Sequence, residues 1–211
     1  MSISETCIEN MQDVVKEVPQ VKNLLAMLQA NKSGYLYSHS ILSIYVASHI
    51  INSMSWGTKE HVEKISFVFF FMDMYLAPIY LKYPDARYEE DLLFEEDLTD
   101  KEKDIILNHA QMASEAIKKF PDCAIGVDTI ISQHHGMTNG VGFAINFKDD
   151  ISPLAKVAII AEAFVEDLLK EKGQKNSIDH LSIEKLIEYL EERFSKPSYH
   201  KLIETIKTIR L

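Results

Sequence analysis

Between its proline and glycine breaks, this chain places apolar residues three or four positions apart, and this spacing is what most limits its fold. Such spacing puts the apolar side chains on one face of a helix, whereas a half-buried strand requires strict alternation. The stretch from residue 35 to 56 shows it with Leu36, Ile41, Ile44, Tyr45, Ala47, Ile50 and Ile51. The sequence therefore predicts an all-α protein, a helical bundle of about eight or nine helices.

The breaks also predict where the helices begin and end. A first helix ends before Pro19, and the others are expected at about 21–30, 35–56, 59–81, 100–119, 124–134, 153–170, 182–194 and 199–209. Thr58 and Thr99 are placed as N-caps of the helices that follow them. Because no break in composition separates two halves, we expect a helical lead-in over residues 1–31 and one domain over residues 32–211.

Charge and cysteine usage exclude several classes of protein. With 22 Lys and Arg against 32 Asp and Glu, the formal net charge of −10 disfavours binding to a nucleic-acid duplex. Two cysteines cannot form a disulfide framework or a four-thiolate zinc site, so a cytoplasmic location is expected. The N-terminus is acidic and lacks the pattern of a secretory signal. No membrane partner is predicted.

The most apolar stretch, residues 65–81, carries a single acid, Asp73, at its middle. It is short for a membrane span and contains Pro78, so it predicts a buried core helix. An isolated buried carboxylate is costly, and Asp73 must therefore be paired, protonated or bound to a metal. A buried ion pair or hydrogen bond remains the alternative.

Four histidines are candidates for metal ligands. His134 and His135 are adjacent at a predicted helix end, where the backbone can turn both imidazoles toward one point. His109 and His39 lie on apolar faces of two other helices, where each alone is typical of a hydrogen-bonded core histidine. Together with Asp73 they come from separate helices, and a bundle core can bring such side chains to one ion. The acidic run over residues 85–104 is interpreted as a solvated surface loop.

In the order and spacing of these motifs, residues 34–169 resemble the HD superfamily of metal-dependent phosphohydrolases, and within it the HD-GYP cyclic-di-GMP phosphodiesterases. The segment with His39, SHSILSIYVASHI, is similar to the family's H-S-x-x-V-A helix, and FFFMDMYL stands at its H-D-I-G-K segment. LTDKEKDIILNHA leads into His109 as the family's L-T-x-E-E run leads into a histidine. IISQHHGMTNGVGF resembles the family's H-H-E-x-x-D-G-S-G-Y-P loop, and AKVAIIAEAFVEDLL resembles the helix that carries its metal-binding aspartate.

The resemblance implies a site for one or two divalent ions, Fe or Mn first, with Mg, Ni or Zn also compatible. The metal ligands it implies are His39, Asp73, His109, His134, His135 and Glu162. His39, Asp73 and Glu162 would hold one ion, and Asp73 with the other three histidines would hold the second. Asp73 is the catalytic residue that bridges them, and Gly140, Gly142 and Phe143 match the substrate-binding loop.

Several positions depart from the family's pattern. Met72 replaces the HD histidine, Leu76 replaces the lysine, and Gly142, Phe143 and Ala144 replace G-Y-P. A thioether is a poor ligand for these ions. We therefore expect a phosphodiesterase with impaired or altered hydrolysis of a cyclic dinucleotide or another phosphate ester. The alternative is an inactive signalling module that binds a nucleotide or a protein partner. A third possibility is that the six ligand residues pack by hydrogen bonds alone.

Overall fold

The computed structural model describes residues 35–86, 88–120, 123–136, 151–174 and 180–209. Within these ranges the chain forms nine helices and no strand, which confirms the predicted all-α bundle. In chain order the helices are α1 Tyr35–Ser53, α2 Lys59–Phe71, α3 Ala77–Lys82, α4 Glu89–Leu93, α5 Asp100–Ile117, α6 Val127–Gln133, α7 Pro153–Gln174, α8 His180–Arg193 and α9 Pro197–Ile206. The expected lead-in over residues 1–31 and the loop residues Gly140, Gly142 and Phe143 lie outside the described residues.

Helix α1 is the centre of the bundle. It packs along α7 and also contacts α2 and α9, while α5 packs mainly against α6. The main core lies between these helices and includes Ile44, Phe70, Ile160 and Phe164, all nearly or fully buried. A second apolar cluster, containing Tyr80, Leu92 and Ile106, lies beneath α3, α4 and α5. None of the described helices is long and apolar enough to cross a membrane.

Both predicted N-caps are confirmed. The Thr58 side chain accepts a hydrogen bond from the backbone N–H of His61 at the start of α2. At the start of α5, Thr99 and Glu102 form a reciprocal capping box, in which the Thr99 N–H donates to Glu102 Oε2 at 2.8 Å and the Glu102 N–H donates to Thr99 Oγ1 at 3.2 Å. These bonds satisfy amide groups that the helix itself leaves unpaired.

The prediction of one helix through residues 65–81 is wrong. Helix α2 ends at Phe71, a turn follows, and α3 begins at Ala77 with Pro78 in its first turn. The physical reason is proline: inside a continuous helix Pro78 would lack an N–H donor and its ring would clash with the carbonyl of Met74. The break leaves Asp73 in the turn instead of mid-helix.

Candidate metal centre

Three histidines and two acids meet where α5, α6, α4 and the turn after α2 come together. His109 lies on the buried face of α5, together with Ile106, Ala110 and Ala113. Helix α6 ends at Gln133, and Gly136 with φ +77° turns the chain immediately afterwards. At this helix end the His134 and His135 rings lie at a centroid separation of 4.0 Å.

Backbone hydrogen bonds fix the proton on two of these imidazoles. His109 Nδ1 lies 2.6 Å from the carbonyl oxygen of Ile106, and His134 Nδ1 makes the same contact with Ile131. A carbonyl only accepts, so each Nδ1 carries the proton and each Nε2 presents its lone pair. Bonding of the second ring nitrogen to a carbonyl is typical of histidines that bind metals.

The Nε2 atoms of the three imidazoles lie close together. His109 Nε2 lies 3.3 Å from His134 Nε2 and 3.0 Å from His135 Nε2. Ligands at about 2.1 Å from an ion are separated by about 3.0 Å when cis in an octahedron and by about 3.4 Å in a tetrahedron. The observed separations fall in this range, and the bare Nε2 atoms of His109 and His134 cannot bond each other.

Glu89 completes this group. Its Oε1 lies 3.3 Å from His109 Nε2 and its Oε2 lies 3.4 Å from His135 Nε2, with the side chain only 12% exposed. The donor atoms of Glu89, His109, His134 and His135 all lie within 4.8 Å of one another. Together these four residues, the histidine group, present three nitrogens and a carboxylate, a donor set that suits Zn, Fe or Mn.

A second group, formed by Asp73, Glu89 and Glu162, adjoins the first and is called the carboxylate group. Glu89 belongs to both groups. Asp73 Oδ1 also approaches the histidines, at 3.6 Å from His109 Nε2 and 3.7 Å from His134 Nε2. This buried oxygen accepts no hydrogen bond from any described residue, as expected of an oxygen whose partner is a cation.

The electrostatics agree with this arrangement. Burial lowers the pKa of His109 to about 4 and of His134 to about 3, and burial with the neighbouring imidazoles also lowers the pKa of His135. The rings are therefore neutral at pH 7, which is the form that binds metal. Burial, reinforced by the Glu166 carboxylate, raises the pKa of Asp73 to about 7, whereas a hydrogen bond with Glu89 opposes the rise.

His39 lies outside both groups. It is 3% exposed, its ring stacks on Tyr35 at a centroid distance of 5.5 Å, and neither ring nitrogen has a hydrogen-bond partner among the described residues. Burial lowers its pKa to about 4. The other five predicted ligands, Asp73, His109, His134, His135 and Glu162, are brought into the two groups.

Glu89 is the residue that the sequence reasoning missed, since it lies in the run interpreted as solvated surface. That interpretation is wrong at this position, because α4 forms within the run and leaves the Glu89 side chain mostly buried. Leu92, three residues after Glu89, is fully buried in the second apolar cluster. Residues three apart share a helix face, so the Leu92–Leu93 pair within the acidic run was the signal that Glu89 turns inward.

Comparison of the chain with family models, curated proteins and solved structures found no match.

Proposed function

We propose that this chain binds one or two divalent metal ions and hydrolyses a phosphate ester with their help. The observation that carries the proposal is the set of imidazole Nε2 atoms 3.0 to 3.3 Å apart, two of them with Nδ1 bonded to backbone carbonyls. The motifs that resemble the HD-GYP family support a cyclic dinucleotide as substrate.

The two groups differ in their donor atoms, and each would bind a different kind of ion. The histidine group would hold a transition metal such as Fe or Mn, and the carboxylate group would hold a second, harder ion. A bound divalent ion supplies Lewis acidity, which polarises a phosphoryl oxygen and makes water a stronger nucleophile at neutral pH. Asp73 belongs to the carboxylate group and lies 3.6 Å from His109 and 3.7 Å from His134 of the other group, and its carboxylate would accept the proton of the attacking water.

The negative charge of the clustered carboxylates supports the binding of two divalent ions. Asp73, Glu89, Glu162 and Glu166 bring up to four negative charges together, since Glu166 acts electrostatically on Asp73, while the imidazoles are neutral. Two divalent cations carry four positive charges and would match a fully ionised set of these carboxylates.

The first experiment measures metal content by elemental mass spectrometry after purification without chelator or affinity-tag metal, both in air and anaerobically. We expect one to two equivalents of Fe or Mn in the wild type and in the His200→Gln control, whose histidine is exposed. His109→Gln is expected to lose the metal. Absence of metal from wild type, even after incubation with Fe(II) or Mn(II), would refute the proposal.

The second experiment tests hydrolysis. With Mn(II)-loaded protein, we expect turnover of cyclic-di-GMP or of the chromogenic diester bis(4-nitrophenyl) phosphate. Asp73→Asn, which keeps the shape of the side chain, is expected to lower the rate at least about a hundredfold. An equal rate in wild type and Asp73→Asn would assign the hydrolysis to a contaminant.

A second function, metal binding without turnover, is favoured by one observation. Leu76, which stands at the position of the family's lysine, is fully buried in the second apolar cluster. This position therefore provides no cation for a substrate phosphate. Retention of metal with no turnover of either diester would support a signalling module that binds a nucleotide or a protein partner.

A further inference from the structure

Tyr80 carries a buried hydroxyl for which the described part of the chain provides no partner. Its side chain, on α3, is fully buried, and its Oη makes no hydrogen bond to any described residue. A phenol normally finds a partner when it is buried. The hydroxyl therefore needs an acceptor from outside these residues.

Ring contacts connect Tyr80 with the residue that precedes Glu89 of the carboxylate group. Its ring lies 5.8 Å from that of Tyr35, and the Tyr35 ring lies 5.5 Å from that of Tyr88, the residue before Glu89. The charged groups that act on the hydroxyl most strongly are the carboxylates of Glu89 and Asp73, followed by Glu166. Burial and these charges raise its pKa well above the usual value, so the hydroxyl stays protonated and can donate.

We propose that the Tyr80 hydroxyl donates a hydrogen bond to a phosphoryl oxygen of the ligand bound beside Asp73 and Glu89. This inference rests on the proposed function. A phosphoryl oxygen that enters with the ions is a strong acceptor and would give this buried hydroxyl the partner that the described residues do not supply. Leu76 and Tyr80 belong to the same apolar cluster, so the Tyr80 hydroxyl would supply a neutral donor where Leu76 provides no cation.

The test compares wild type with Tyr80→Phe, which removes only the hydroxyl. Tyr83→Phe is the matched control, because the Tyr83 hydroxyl donates to the carbonyl of Asp97 at 2.9 Å near the surface. Three quantities are measured on the full chain: the Mn(II) content, the Kd of inorganic phosphate for the Mn(II)-loaded protein by calorimetry, and the Tm of the metal-free protein.

For Tyr80→Phe we expect unchanged Mn(II) content, phosphate binding about tenfold weaker, and a metal-free Tm that is unchanged or a few degrees higher. The Tm does not fall because the chain loses no internal hydrogen bond. Tyr83→Phe should keep the wild-type phosphate affinity.

Other results overturn the inference. Equal phosphate binding by wild type and Tyr80→Phe, or no phosphate binding by Mn(II)-loaded wild type, would do so while the proposal of metal binding stands. A metal-free Tm several degrees lower in Tyr80→Phe would show that the hydroxyl bonds within the chain. Failure of the wild type to bind Mn(II) or Fe(II) would defeat the proposed function itself, and the inference with it.

Discussion

Glu89 differs from the other acids of its run because it is both inward-facing and shared by the two ligand groups. Glu89→Gln keeps the size of the side chain and removes its charge. We expect it to weaken Mn(II) binding by about tenfold or more, measured by calorimetry. Glu96→Gln, an exposed acid in the same run, is the control and should bind as wild type does. Equal affinity in both variants would remove Glu89 from the site.

Met72 stands at the position of the family's HD histidine, so Met72→His would be expected to restore a metal ligand. The structure places Met72 in the main apolar core with no exposed surface, next to an Asp73 that belongs to the carboxylate group. Met72→His would therefore bury an imidazole among apolar side chains. We expect it to lower the free energy of unfolding by about 2 kcal/mol without raising metal content.

The measurements for Met72→His are urea denaturation and elemental analysis. Met72→Leu conserves volume and polarity and should cost less than about 1.5 kcal/mol. A gain of metal in Met72→His would show that position 72 can reach the site.

These residues also show which parts of the site could be predicted from the sequence alone. The buried acid Asp73 and the helix-end pair His134 and His135 each left a bland alternative open, and it was their combination with the HD-GYP resemblance that grouped them as ligands of one site. Glu89 was missed because it lies in a mostly acidic run, and packing of Leu92, with Tyr88 and Leu93, against the second apolar cluster turns it inward. His39 was grouped with Asp73 and Glu162, whereas its distance from them depends on packing that no spacing specifies.

At the scale of the helices, the connection between α1 and α2 depends on Gly57. A Cβ at this position would lie 1.8 Å from the carbonyl oxygen of Ile51, which is backbone and cannot move aside cheaply. We expect Gly57→Ala to lower the free energy of unfolding by about 2 kcal/mol or more, measured by urea denaturation.

Gly126 provides the comparison for Gly57. It has φ +88° but no atom within 4 Å of an added Cβ, so Gly126→Ala should cost only the backbone strain of about 1 kcal/mol. Equal stability of Gly57→Ala and Gly126→Ala would show that the backbone near Gly57 can move away from an added Cβ at no cost in free energy.

The start of α5 gives a pH-dependent prediction. Hydrogen bonds from Lys82 and from Thr99 lower the pKa of Glu102 from its ordinary value of 4.5 to about 2. A pKa lower in the folded state stabilises the fold above pH 4.5, and this contribution is lost as the pH falls from 4.5 through about 2. Glu102→Gln should therefore lower the Tm at pH 7, with a difference from wild type that shrinks toward pH 2.

Thermal unfolding of the two proteins at several pH values measures this difference. Glu96→Gln serves again as the control, since its carboxylate is exposed on the same run. A difference in Tm that stays constant between pH 7 and pH 2 would contradict the assignment to Glu102.

For the whole molecule, the site joins parts of the chain that are far apart in sequence. Its ligands come from the turn after α2 and from α4, α5, the end of α6 and α7. An ion that binds only the folded form at 100 times its Kd stabilises that form by about 2.7 kcal/mol. We expect saturating Mn(II) to raise the Tm by about 5 to 10 °C.

Differential scanning calorimetry with Mn(II) and with excess EDTA measures this shift. His109→Gln should show almost none of it, whereas His200→Gln should show all of it. A Tm that does not respond to Mn(II) in wild type would indicate that the cluster does not bind the ion.

Helix α4 has only five residues and packs mainly on α5, yet it carries the ligand common to both groups. Short, lightly packed elements open more often than the core around them. Each opening would withdraw Glu89 from both ions together while the three imidazoles stay in position. The residence time of a bound ion would then depend on how long this short helix stays folded. Exchange with ions in solution would be set by local unfolding of α4 and not by the strength of any single metal–ligand bond.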